Sequence, residues 1–329
     1  QDTVDVKIRA YDETSGVETI EYWSNGINGD GEDKNQKGVL TPVEVGEGYY
    51  EATFTIQPQF KGSFSTMATD RAGNSSDSVT SESIYVDDTV PNAPRVDTQG
   101  YEAGTWTNQD VELVVTGSGA FSGIDRYEYT IADGPLDGSE NWVPLTEGKV
   151  VQADSQDAAA NVTRSTLTIS GDVNKTFYIR GVSNSQVAGD ITACQVKVQK
   201  TLPDNASVSA ASANQESWYQ TDPHIVITPP DSTDSPQPES APITVYYKLW
   251  NRSRGETEAT APVRTFTGQQ PAITQDGEYM LLVWTEDEAG NQCRQSQRIL
   301  REYQVDFTEP VISLSYNNNS AQNQNYYGA

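Results

Sequence analysis

Two five-residue strings carry the clearest chemistry in the chain: Asp70-Arg71-Ala72-Gly73-Asn74 and Asp287-Glu288-Ala289-Gly290-Asn291. A carboxylate and a carboxamide four residues apart around a glycine can do two things. They can cap the backbone of a tight turn, with the glycine at positive φ. They can also offer hard oxygen ligands to calcium. The capping reading is the stronger from the residues themselves, and calcium stays open beside it. A second run, Asn28, Asp30 and Glu32, alternates like an EF-hand loop. Asp33 stands where such a loop needs glycine and Val39 where it needs its last glutamate, so a solvated hairpin loop is expected instead.

No catalytic constellation is marked in the sequence. His224 is the only histidine, which excludes a two-histidine motif such as H-E-x-x-H, and no nucleophile is marked for a Ser-His-Asp triad. His224 therefore reads as a strand-end residue. There is no G-x-S-x-G elbow, P-loop or G-x-G-x-x-G string. With 47 acidic residues, carboxylate pairs arise by chance and mark no glycoside hydrolase site. Cys194 and Cys293 lie 99 residues apart, without metal-type spacing, and fall in different repeats, so no disulfide is expected. The chain is not expected to be an enzyme.

The 47 acids against 21 Lys and Arg give a formal net charge of −26. That field repels phosphate backbones and anionic lipid heads, which argues against nucleic-acid or membrane-surface partners. No run approaches the ~20 apolar residues that a membrane span needs. No signal peptide opens the chain and no sorting signal closes it, and it reads as a fragment of something longer.

Repeats position these groups. Ser15-Gly16-Val17 recurs as Ser122-Gly123-Ile124, 107 residues on, and the Asp70 string recurs after 217 residues. Val86-Asp87-Asp88-Thr89-Val90-Pro91 recurs as Val305-Asp306-Phe307-Thr308-Glu309-Pro310, with Val198-Gln199-Lys200-Thr201-Leu202-Pro203 holding the frame between them. Trp106 and Trp218 each precede an acid by four residues, Asp110 and Asp222. Four landmarks agree on a period near 110, the signature of tandem modules.

Each module reads as β. Val4, Val6, Ile8 and Ala10 alternate with polar residues, as do Val111, Leu113 and Val115, and Tyr50, Ala52, Phe54 and Ile56. No stretch supports an amphipathic helix. Turn signals are dense: Asn25-Gly26, Asn28-Gly29, Asp133-Gly134, Asp137-Gly138 and Asp276-Gly277. About seven short strands per ~100 residues predict an immunoglobulin-like sandwich. In the first module Val4–Tyr11 is strand B, Thr19–Trp23 is C, Tyr49–Ile56 is E, Gly62–Thr69 is F and Ser81–Val86 is G. The expected fold is all-β, with tandem immunoglobulin-like sandwich modules in an elongated rod. The boundaries fall at prolines: 1–90 for a first module lacking its first strand, 91–202 for a degenerate second, 203–309 for a third, and 310–329 for the first-strand segment of a truncated fourth.

D-x-A-G-N closing one strand, followed by V-D-x-T-x-P, resembles the bacterial Ig-like tandem repeats of large surface adhesins. The middle module departs from it, with Val182-Ser183-Asn184-Ser185 in place of D-x-A-G-N and no linker aspartate. The resemblance implies an extracellular place on the bacterial cell surface and a non-catalytic role as stalk or adhesive rod. A ligand-binding adhesin segment recognising a host glycan or a host protein such as immunoglobulin is the alternative. Accessory modules of a large secreted glycoside hydrolase are a second. Similar repeats also bind calcium at module junctions.

Immunoglobulin topology places the BC and FG loops at one pole and the end of strand G at the other. Calcium, if bound, then draws on pole acids: Asp12 with Asp70, Asp87 or Asp88, Asp231 or Asp234 with Asp287, and Asp306. At the first junction Asp87 and Asp88 meet Ser118 to Ser122 and Ser183-Asn184, with no loop acid. At the second, Lys200 replaces the linker acid.

Of 17 Tyr and six Trp, Trp23, Trp250 and Trp284 are expected in sandwich cores. Trp142 follows the loop 133–141 and is the candidate ligand-binding aromatic, able to stack on a sugar or anchor a protein. Packing against its own module is the plainer reading. At the chain's end, Ile312, Leu314 and Tyr316 alternate with Val311, Ser313 and Ser315. The segment 311–329 is expected to add to the open edge of module one in another copy, a head-to-tail contact.

Overall fold

The computed structural model describes residues 3–117, 119–153, 160–230, 240–315, 321–323 and 326–327. It forms two compact units, Gln1–Lys200 and Thr201–Ala329. The architecture is all-β, in tandem immunoglobulin-like sandwich modules, two in the first unit and one in the second.

Module one contains β1 (Val4–Tyr11), β2 (Val17–Ile27), β3 (Lys37–Leu40), β4 (Val43–Gly46), β5 (Tyr49–Ile56), β6 (Phe60–Asp70), β7 (Val79–Thr80) and β8 (Ile84–Val86). One sheet runs β1-β5-β4 and the other β3-β2-β6-β7, with β8 also on β6. β1 is half-buried at every second residue, as the alternation of Val4, Val6, Ile8 and Ala10 requires. Phe54 and Ile56 of one sheet meet Tyr22, Phe64 and Val86 of the other, and Tyr22 stacks on Phe54 at 4.1 Å between ring centroids.

Asn25-Gly26, expected as a turn, lies inside β2, which is longer than the Thr19–Trp23 span expected for it. The glycine answers a different need. Gly26 faces Gly62 across the sheet, and a Cβ on Gly62 would sit 2.1 Å from the Asn25 carbonyl oxygen. Facing glycines here mark close backbone approach rather than chain reversal.

Module two contains β9 (Arg95–Asp97), β10 (Trp106–Thr107), β11 (Val111–Thr116), β12 (Ile124–Ala132), β13 (Val143–Pro144), β14 (Glu147–Ala153), β15 (Ala160–Ile169), β16 (Val173–Ser183) and β17 (Ala188–Val198). Its sheets run β14-β15-β11-β9 and β10-β17-β16-β12-β13. Leu113, Val115, Tyr127, Ile179 and Val196 lie in the core between them. Module three contains β18 (Ser207–Ser209), β19 (Trp218–Tyr219), β20 (Val226–Thr228), β21 (Ile243–Asn251), β22 (Arg264–Thr265), β23 (Gly277–Asp287) and β24 (Ile299–Val305). β18-β20 packs on β19-β24-β23-β21-β22 around Ile227, Leu281, Val283 and Tyr303.

The repeated tryptophan marks a repeated strand. β10 runs parallel to β17 from Trp106, and β19 runs parallel to β24 from Trp218. Likewise β9 adds to β11, and β18 to β20. Among the described residues of module one, β1 pairs with β5 and no strand takes the place of β9 or β18.

The other tryptophans do not fill the inter-sheet cores. Trp23 is 39% exposed, because its neighbour Tyr22 takes the inward side of β2. Trp250 is buried, but in a separate cluster with Ala261 and Leu282, against which Trp284 packs. Trp284 also stacks on Tyr246. Strand alternation puts these rings on the face opposite Val245, Tyr247, Leu281 and Val283. Both cysteines are free and buried. Val311, Ile312 and Leu314 are exposed, Tyr316 lies outside the described residues, and β25 (Ala321–Asn323) pairs with β26 (Tyr326–Tyr327). Among the described residues no helix is long and apolar enough to cross a membrane.

Candidate functional site

The two D-x-A-G-N strings fold alike. Asp70 Oδ1 accepts the Asn74 backbone N–H at 2.8 Å and Oδ2 accepts the Asn74 amide at 2.8 Å. Asp287 accepts the Asn291 N–H and amide in the same way, each at 2.8 Å. Gly73 and Gly290 supply the left-handed residue, at φ 89° and 87°. The middle module builds the turn from other residues. Ser183 Oγ accepts the Val187 N–H at 3.1 Å, and Gln186 takes the left-handed position at φ 64°. What reads as degeneracy in the sequence is the same reversal in different chemistry.

At the pole of module one, Asp12 Oδ1 accepts the N–H groups of Thr14, Ser15 and Gly16 at 3.1, 2.7 and 2.6 Å. Those bonds, from Gly16 and Ser15 foremost, hold its carboxyl below the ordinary value, although the Asp70 charge nearby pushes the other way. Asp70 is also held low, chiefly by the Asn74 side chain. The acidic run at 28–32 is a self-bonded hairpin loop: Asn28 Oδ1 accepts the N–H groups of Asp30 and Glu32 at 3.0 and 2.8 Å.

Asp87 and Asp88 lie where the first module meets the second, and Asp87 is 1% exposed. Its Oδ1 accepts the Thr89 N–H at 2.8 Å and its Oδ2 accepts the Ser122 N–H of module two at 2.8 Å. Burial pushes the carboxyl up, and the bonds from Thr89 and Ser122 together outweigh it and hold it below its ordinary value. Asp88 Oδ1 accepts the Gln59 amide at 2.9 Å. A groove of about 370 Å³ beside them is lined by Val4, Tyr85, Val86, Asp87, Ser122 and Asn184.

Asp306 is exposed, and its Oδ1 accepts the Thr308 N–H at 3.0 Å. Asp231 and Asp234 lie outside the described residues. Lys200 pairs with Asp110. Among the described residues no three His, Cys, Asp or Glu side chains converge as a metal site would require. His224 is exposed, at φ 51°, beside Asp222 and just ahead of β20.

Trp142 is half-buried, with the Arg180 guanidinium 3.8 Å from its ring centroid. Arg180 is itself held by Glu128, through Nε at 2.7 Å and Nη2 at 2.5 Å. Arg126 Nε reaches the other oxygen of Glu128 at 3.2 Å, and Glu128 is 4% exposed. Sequence reasoning missed this network. Its signal was available: Arg126 and Glu128 are two residues apart, so they share a face of β12, and the register sets Arg180 opposite Glu128.

Neither a family model nor a curated protein matches the chain. Among solved structures it is similar to the FN1-FN3 domains of chicken CNTN1, at 13% identity and a TM-score of 0.27, covering 92% of this chain and 96% of that one. It is also similar to fibronectin(III)-like modules of Clostridium thermocellum CbhA, at 14% identity and a TM-score of 0.26, covering 59% of this chain and 85% of that one.

Proposed function

We propose that the chain is a non-catalytic run of immunoglobulin-like modules from a bacterial cell-surface protein, serving outside the cell as a stalk or adhesive segment. What carries this reading is the work done by the repeated motifs. The acids of D-x-A-G-N and V-D-x-T-x-P accept backbone and amide N–H groups within turns and at the first junction. They hold the modules in shape. Antibody labelling of intact producing cells tests the placement: surface signal is expected, and signal only after permeabilisation overturns it.

Adhesion to a host glycan or host protein is the second reading, and Trp142 on Arg180 at the rim of module two supports it. A glycan and host-protein array probed with the chain separates stalk from adhesin. Binding that Trp142→Ala abolishes favours the adhesin, and silence across the array favours the stalk.

Calcium belongs to the same proposal. The Asp12–Asp70 pole supports it best, since the Arg71 N–H donates to the Gly16 carbonyl at 3.1 Å and so sets the two acidic loops side by side. Calcium bound to the folded state alone raises the melting temperature by mass action. Identical melting in millimolar calcium and in chelator removes it.

A further inference from the structure

The loops that open β2 and β12 align residue by residue: Asp12-Glu13-Thr14-Ser15-Gly16-Val17 with Gly119-Ala120-Phe121-Ser122-Gly123-Ile124. In the first, Asp12 satisfies three consecutive backbone N–H groups. In the second, glycine stands where Asp12 should be, so the loop has no acid of its own. Ser122 is nevertheless 5% exposed, and a buried N–H without an acceptor is costly. Asp87 supplies the acceptor from the neighbouring module.

The surroundings keep it there. Tyr85 and Phe121 meet edge to face across the seam, at 6.0 Å between ring centroids. The Asn92 N–H donates to the Gly119 carbonyl at 3.3 Å, and the Asp190 N–H to the Pro91 carbonyl at 2.9 Å. Asp306, at the matching position of module three, makes the same bond to the N–H two residues on, yet it is exposed. The turn is thus local to V-D-x-T-x-P, and the second carboxylate oxygen is the part left to bind a neighbour.

We propose that Asp87 is an intermodule latch. It caps in trans a Ser-Gly loop that lacks its own acid, and so ties the pole of module two to the end of module one. The partner surface it fits is chemically defined: the free N–H of a Ser-Gly-Ile or Ser-Gly-Val loop with a non-acidic residue three positions before the serine. The inference stands whether the modules adhere or only space.

Hydrogen exchange on the whole chain, read by mass spectrometry over 119–124 and 12–17, tests it. Asp87→Ala is expected to speed exchange at 119–124 by about tenfold or more, the scale of a hydrogen bond to a charged group. Asp87→Asn, which keeps an acceptor without the charge, is expected to give a smaller rise. The segment 12–17 stays protected in both, and Asp306→Ala leaves 119–124 unchanged. A Cβ at Gly119 meets nothing nearer than the Asn92 amide at 3.4 Å, so aspartate fits there. Adding Gly119→Asp to Asp87→Ala is expected to restore protection of 119–124 from within module two. Unchanged exchange in Asp87→Ala overturns the latch, and so does failure of Gly119→Asp to rescue a faster-exchanging variant.

Discussion

Modules one and two solve the same problem with different residues. Module one carries Asp12, Asp70 and Gly73 and completes its pole by itself. Module two has Gly119, Ser183 and Gln186 in their places. It closes the FG turn with a hydroxyl, leans on Asp87 for the BC loop, and carries an ion network on its sheet face. A departure from a repeat motif therefore does not signal a lost structural element. It shows which part of the element was backbone and which was replaceable side chain.

The largest expected effect lies in the ion network of module two. Glu128 is buried and holds both Arg126 and Arg180, and Arg180 in turn lies on Trp142. Removing one partner of a fully buried pair costs ~3–5 kcal/mol. The two arginines here keep some access to water, so Glu128→Ala is expected to cost about 2 kcal/mol, below that range. Urea unfolding followed by near-ultraviolet signals checks it. Trp142→Ala removes the cation–π contact, worth ~0.5–1 kcal/mol, and with it the packing of a half-buried ring, so it is expected to cost about 1–1.5 kcal/mol in all. A larger loss from Trp142→Ala than from Glu128→Ala would invert the hierarchy.

Acid should separate the modules next. Asp12, Asp70 and Asp87 all have carboxyls held below their ordinary values. A depressed folded value means stability that is fully present above the unfolded value and lost as pH falls through the folded one. Melting temperature is expected to be flat near neutrality and to fall below about pH 4. Asp12→Asn should flatten that fall by removing one contributor from module one. A variant with the same acid limb as the parent would show that Asp12 gives the loop nothing through its charge.

Much of the fold was legible because it rests on period. The alternation in β1 reappears as alternating burial, and the repeated tryptophans reappear as short strands beside the last strand of their modules. Asn25-Gly26 misled because a glycine demanded by close approach looks the same in sequence as one demanded by a turn. Trp23 misled because composition does not say which face of a strand a ring takes, whereas its register beside Tyr22 does. The junction was half legible. Topology set Asp87 opposite the Ser122 loop, but a backbone N–H donating to a carboxylate 35 residues away leaves no side-chain pattern to find.

The smallest effects lie in the left-handed turn position, where the two modules differ by one side chain. Gly73 sits at φ 89° with open space around a would-be Cβ, so Gly73→Ala meets only the backbone penalty and is expected to cost about 1 kcal/mol. Gln186 already bears that penalty at φ 64°, but its Oε1 accepts from Arg126 at 2.9 Å. Gln186→Gly relieves the backbone, loses that exposed bond and loosens the unfolded chain. These terms are of similar size and opposite sign, so the net change is expected to stay within about 0.5 kcal/mol of zero. Chemical denaturation of both variants checks the pair. A gain above about 1 kcal/mol from Gln186→Gly would mean that module two holds unrelieved strain at this turn, and the equivalence of the two turns would fail at that residue.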